Sequence, residues 1–126
     1  MARALTRRIY TVTRQPPFGR DYALSDQLRR ASISVMANLA EGFGYMAGRQ
    51  FSRFLIIARG SCAEVASHLY VAHDIGYLEQ AEFESLIAET ERIGRMISSL
   101  YRYLEQVKLN APQRARQSIQ RQDIKD

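Results

Sequence analysis

The 126-residue chain has one cysteine, no tryptophan, three prolines and no long apolar run. A lone cysteine, Cys62, closes no internal disulfide, so a reducing compartment, the cytoplasm, is expected. No stretch approaches the ~20 apolar residues of a membrane span. The first eight residues, Met-Ala-Arg-Ala-Leu-Thr-Arg-Arg, lack the apolar centre of a signal peptide. The prolines bracket the chain instead of interrupting it: Pro16-Pro17 with Gly19 marks one break and Pro112 another. Strand patterns are missing as well, since no segment alternates apolar and polar residues with β-branched enrichment. These absences leave a single all-α domain with no disulfide and no membrane segment.

What is there is helical periodicity in four segments, about 2–14, 24–42, 48–75 and 79–108. In the second, Leu24, Leu28, Ala31, Val35, Leu39 and Phe43 form one stripe, and Ile33, Met36, Ala37 and Ala40 widen it around much of the helix. A helix apolar over so much of its surface is buried on more than one side. The third segment gathers Phe51, Phe54, Leu55, Ala58, Cys62, Val65, Ala66, Leu69 and Ala72, with Ile57 and Val71 off that face. The fourth repeats the pattern with Phe83, Leu86, Ile87, Ile93, Ile97, Leu100, Tyr101 and Leu104, and sets Gly94 in its apolar face, where a missing side chain permits close helix approach. The expected fold is an antiparallel up-down-up-down four-helix bundle over residues 1–108, with helices 3 and 4 forming a long hairpin across Gly76–Leu78. Residues 109–126 read as a basic, disordered tail. Helices 3 and 4 run roughly 42 Å, helix 1 only roughly 20 Å, so helix 1 cannot cover the hairpin. Either apolar surface is left for a partner or the sequence as given lacks the start of its first helix; with the two-sided second helix, a homo-oligomer is expected.

Charge is unevenly spread. Residues 1–30 hold seven Arg against two Asp, whereas residues 77–107 hold six Glu against three Arg. A basic start and an acidic last helix suit either a polyanionic partner or head-to-tail contact between subunits. The candidate nucleic-acid contacts are Arg3, Arg7, Arg8 and Arg14 on helix 1, with Arg29 and Arg30 on helix 2 and Arg20 between them. The guanidinium fork holds phosphate bidentately. No helix-turn-helix, zinc finger or RNA-recognition motif is visible, so binding is expected to be directed at the backbone. Arg29 points into the apolar arc of its helix, which suits an arginine reaching across a subunit boundary or a snorkelling stem.

Catalytic constellations are thin. Gly42 to Gly48 resembles a phosphate loop, but it follows a helix and lacks the closing Gly-Lys-Ser/Thr, so a helix connection with positive φ is expected there. Glu64 and His68 are four apart, yet no Glu-x-x-His and no second pair accompany them, so no metal or other cofactor is expected. Cys62 sits in the core stripe as a small hydrophobe. Without an acid, base and nucleophile together, no enzyme and no small-molecule substrate are expected. Asn38 and Glu41 on helix 2 and Arg59, Ser61 and Glu64 on helix 3 form a polar set at the junction, read as a structural network in which Glu41 pairs with Arg59.

Tyr22-x-Leu24-x-x-Gln27-Leu28-Arg29-Arg30-Ala31, then Ser34-Val35-x-x-Asn38-Leu39-Ala40-Glu41-Gly42, then Phe54-Leu55-x-x-Ala58-Arg59-Gly60-Ser61-x-x-Glu64 together resemble a bacterial four-helix-bundle protein family. It is the family labelled the 23S ribosomal RNA intervening-sequence protein, and it is related to the accessory variability protein of diversity-generating retroelements. The resemblance spans about residues 4–107. It implies a homopentamer, association with RNA or DNA, a reverse transcriptase as a partner and no catalytic residues. It also marks Asn38, Glu41, Arg59, Ser61 and Glu64 as signature positions that determine bundle and assembly. Members of the family begin with an extra Leu-x-x-Trp-Gln-like stretch ahead of the position of Ala4; this chain has no tryptophan, so either its true start lies upstream or its first helix is short. The function expected is a non-enzymatic oligomeric bundle that binds nucleic acid through phosphate contacts, as an accessory to an rRNA insertion or a reverse transcriptase. The alternative is a protein-interaction scaffold with no nucleic-acid role.

Overall fold

The computed structural model describes the backbone of residues 1–45 and 48–125, and the side chains of 1–45, 50–107 and 109–110. Four helices run in order: α1 (Ala2–Thr13), α2 (Tyr22–Tyr45), α3 (Gly48–Asp74) and α4 (Gln80–Lys125), with a 3-10 turn at Phe18–Arg20 between the first two. Among the described residues there is no strand, and no helix is long and apolar enough to cross a membrane. The helices pack as an antiparallel four-helix bundle, α2 on α3, α3 on α4, and α1 between α2 and α4.

Local chemistry sets the helix ends. The Asp21 carboxylate accepts the Leu24 N–H at 3.1 Å, an N-cap for α2, and its other oxygen accepts the Tyr77 hydroxyl at 3.0 Å. One aspartate thus ties the start of α2 to the α3–α4 turn. That turn is a Schellman motif: Tyr77 N–H donates to the Ala72 carbonyl at 2.8 Å and Gly76 N–H to that of His73 at 3.1 Å. Gly76 takes φ +86°, a conformation open to it because it has no Cβ.

Leu5, Ile9, Leu28, Val35, Leu55, Val65, Leu69, Leu86, Ile93 and Ile97 form the continuous core, with Phe18 capping one end against Tyr77. The third and fourth helices bury the faces their periodicity marks, and Ile57 and Val71 stay exposed as expected.

Two local expectations are corrected. Gly42 and Gly44 lie inside α2 with no positive φ, because the helix runs on to Tyr45; the connection itself, Met46-Ala47, is outside the described residues. A Cβ on Gly42 would sit 3.1 Å from the Phe51 ring and 3.2 Å from Phe54 Cβ, so this glycine lets α2 press against α3. Gly94 admits not a helix but one side chain: the Arg59 guanidinium lies 2.7 Å from where its Cβ would stand. The backbone of α4 is helical from Gln80 to Lys125.

Helix α1 spans only 12 residues against 27 for α3. It runs antiparallel to α2, with the Thr6 hydroxyl 3.3 Å from the Ser32 carbonyl and Thr13 beside Arg29. Beyond the start of α1, the lines of α2 and α4 that face it turn apolar. Steps of seven lead from Arg29 to Met36 and Phe43, and from Glu82 and Glu89 to Met96 and Tyr103. Phe43, Met96 and Tyr103 are each at least half exposed there.

Candidate nucleic-acid interface

Helix α1 turns Leu5, Thr6, Ile9 and Thr13 inward. At 100° per residue this leaves Arg3, Arg7 and Arg14 within roughly 40° of one another on the outer side. Arg14 stays in register because its backbone keeps helical angles at the C-cap (φ −82°, ψ −20°). The three span about 16 Å along the axis. All are exposed, and none pairs with a carboxylate among the described residues. Three free guanidiniums in line are a track for a polyanion.

The other three candidate arginines have partners within the chain. Arg8 faces α4, where Nη1 donates to Glu89 Oε2 at 2.6 Å and Nη2 lies 3.0 Å from Ser85 Oγ and 3.4 Å from Glu82 Oε1. With Glu89 largely covered, this is the clamp that holds α1 on α4. Arg29 is held by α1 of its own chain. Its Nε donates to Thr13 Oγ1 at 2.8 Å and its guanidinium lies 4.7 Å above the Tyr10 ring, so it bridges α2 to α1. Arg30 pairs with Asp26 one turn back, Nε to Oδ2 at 2.8 Å, and this pair is fully on the surface.

The free arginines flank the groove between α1 and α2. Beside the Arg14 end of α1, the 3-10 turn and the start of α2 form a surface cleft of about 470 Å³ lined by Gly19, Tyr22, Ala23, Ser25, Asp26 and Arg29. Gly19 brings this end together: a Cβ there would stand 3.0 Å from the carbonyl oxygens of both Thr13 and Arg14. Arg20 is exposed on the 3-10 turn beside it. Tyr22 projects into water with 80% of its surface open. No periodic pattern marks Tyr22 in the sequence, because one exposed ring at a helix start breaks no rule; its position between Arg14, Arg20 and Arg29 was the available signal.

The signature positions fall on the opposite side. Ser34 and Ser61 share a 2.7 Å hydrogen bond between α2 and α3, and Asn38 Nδ2 donates to the Ser34 carbonyl and hydroxyl at 2.8 and 3.1 Å. This neutral cluster pins the register of the two helices. The expected Glu41–Arg59 pair does not form. With Ser34 opposite Ser61 and Gly42 against Phe51, Glu41 stands near Phe54, more than a turn from Arg59. Arg59 instead turns to α4, where its Nε donates to Ser98 Oγ at 3.0 Å. Glu41 and Glu64 are exposed.

Cys62 is buried, and burial pushes its thiol up to about 11 despite the nearby Arg59, so at neutral pH it stays protonated and unreactive. His73 stacks on Phe83 at 4.2 Å and bonds Gln80 at 2.8 Å. No group of three His, Cys, Asp or Glu among the described residues stands close enough to hold a metal ion.

Comparison with solved structures gives a crystal structure of a protein of unknown function from the S23 ribosomal protein family of Bacteroides thetaiotaomicron. It matches with a TM-score of 0.73 at 20% identity, over 79% of this chain and 94% of that one. At that identity the likeness establishes the bundle fold alone. No curated protein matches the sequence. The model of the 23S rRNA-intervening sequence protein family matches residues 1–99, from the arginine line of α1 to the middle of α4. With both the fold and most of the length accounted for, the chain belongs to that family.

Proposed function

We propose that this bundle is a non-enzymatic nucleic-acid-binding protein that grips the phosphate backbone along α1. The observation that carries the reading is the line of Arg3, Arg7 and Arg14, exposed and unpaired, while Arg8, Arg29 and Arg30 of the same segment have partners within the chain. Unpaired guanidiniums in one line repel each other and are relieved by a polyanion that releases counterions on binding. The family's name refers to 23S rRNA intervening sequences, which makes a structured RNA the first probe to try.

The same reading has the protein act as a cytoplasmic homo-oligomer. What supports assembly is the pair of apolar lines beyond the start of α1, with Phe43 on α2 and Met96 and Tyr103 on α4. Large side chains exposed together in this way mark contact surfaces. A pentamer attached to a reverse transcriptase is the finer form of the reading. A scaffold that contacts only proteins is the competing one, and it draws on the same apolar lines.

The test is a fluorescence-anisotropy titration of a structured RNA and a duplex DNA at several salt concentrations. The expected result is an affinity that falls log-linearly with salt, reporting phosphate neutralisation. Absence of binding at low salt, from protein shown to be folded, would overturn it in favour of the scaffold.

A further inference from the structure

Among the described residues the large apolar side chains left in water are mostly aliphatic or packed on another ring, as Tyr45 is on Phe54 and Phe43 on Phe51. Tyr22 is different. It is 80% exposed, makes no ring contact and no side-chain hydrogen bond, and lines the cleft beside the Arg14 end of α1. Arg29, whose guanidinium is held in place by Thr13 and Tyr10, lines the same cleft, and Gly19 in its wall packs on the Arg14 backbone and precedes Arg20, both arginines being exposed. The nearest carboxylates are already used: Asp26 pairs with Arg30, and Asp21 caps α2 and accepts the Tyr77 hydroxyl.

A duplex presents phosphates to the arginine line but hides its base faces in the stack. An unpaired strand can do both at once, laying its backbone on the cations and one base on the ring. Aromatic platforms beside basic tracks are how unpaired nucleotides are held, since every base has a face to stack. Extra aromatic contact of this kind does nothing for a duplex of equal charge. We infer that Tyr22 is a base-stacking platform, and that the nucleic acid taken by the α1–α2 groove is single-stranded or contains an unpaired loop at this point.

This inference rests on the phosphate-binding reading above but fails separately from it. The experiment compares a fluorescein-labelled single-stranded RNA oligonucleotide with a duplex of the same number of phosphates, using the full chain, its Tyr22→Ala variant and its Tyr22→Phe variant. Circular dichroism confirms that both variants are folded, as expected for a side chain that touches nothing in the core. The expected result is tighter binding of the single strand by the full chain and a loss of roughly 5- to 150-fold with Tyr22→Ala, the worth of one stacked base. The duplex affinity and the salt slope stay unchanged, and Tyr22→Phe binds like the original. If Tyr22→Ala binds the single strand as tightly as before while the salt slope persists, the platform is wrong and the phosphate track stands. If neither probe binds at low salt, both are wrong.

Discussion

Arg7 and Arg8 are neighbours in sequence and stand about 100° apart on α1. That angle gives them different work. Arg7 faces water beside Arg3 and Arg14, and Arg8 meets Glu82, Ser85 and Glu89 across the α1–α4 contact. Removing Arg8 leaves the mostly covered Glu89 carboxylate without its donor, a cost of about 1–3 kcal/mol by the usual worth of a hydrogen bond to a charged group. Replacing it with glutamine should therefore lower the urea midpoint of unfolding, whereas Arg7→Gln should leave it within experimental error. An Arg8→Gln protein as stable as the original would mean that the clamp contributes nothing. Arg29 belongs with Arg8 in this division, since it is held by Thr13 and Tyr10.

Between elements, the α2–α3 contact depends on closeness. Gly42 gives α2 no side chain where Phe51 and Phe54 press in, and Phe54 Cβ is fixed to the α3 backbone, so it cannot swing away. Gly60, in the middle of α3, faces open space: a methyl group placed on it would meet nothing within 4 Å. Gly60→Ala should raise stability by up to about 1 kcal/mol through helix propensity. The chemically identical Gly42→Ala gains the same propensity but overpacks at a cost of about 1–3 kcal/mol, so it should lower stability by up to about 2 kcal/mol. Equal effects of the two in denaturant melts would contradict the close approach. The elements themselves were legible in the sequence: the periodicity of Leu55, Ala58, Cys62, Val65 and Leu69 marked the buried face of α3, and Gly76 marked its end. The contacts between elements were not. Arg8 finds its carboxylates 74 and 81 residues away, and no local pattern announces such a pair. Likewise Glu41 and Arg59 had suitable chemistry for each other, but the Ser34–Ser61 register that separates them exists only in three dimensions. Of the candidate site, the Arg3–Arg7 pair was readable from its four-residue spacing; that Arg14 at the C-cap keeps their line, and which arginines remain free, was not.

At the scale of the whole molecule, charge and apolar surface are divided between regions. The arginine line and Tyr22 occupy the α1–α2 groove, and the apolar lines through Phe43, Met96 and Tyr103 occupy the length of bundle that α1 does not reach. Light scattering at micromolar concentration should therefore give a mass above the 14.4 kDa of one chain. The double variant Phe43→Ser, Met96→Ser should shift that mass toward the monomer; a monomeric original would refute assembly. Nucleic-acid binding is the central claim, and it is tested most directly by the salt dependence of single-stranded RNA affinity for the Arg3→Gln, Arg7→Gln, Arg14→Gln triple variant against the original chain. Losing three phosphate contacts should weaken binding and reduce the magnitude of the log–log salt slope by about 2. A triple variant with the same affinity and the same slope would show that phosphate is not held by α1.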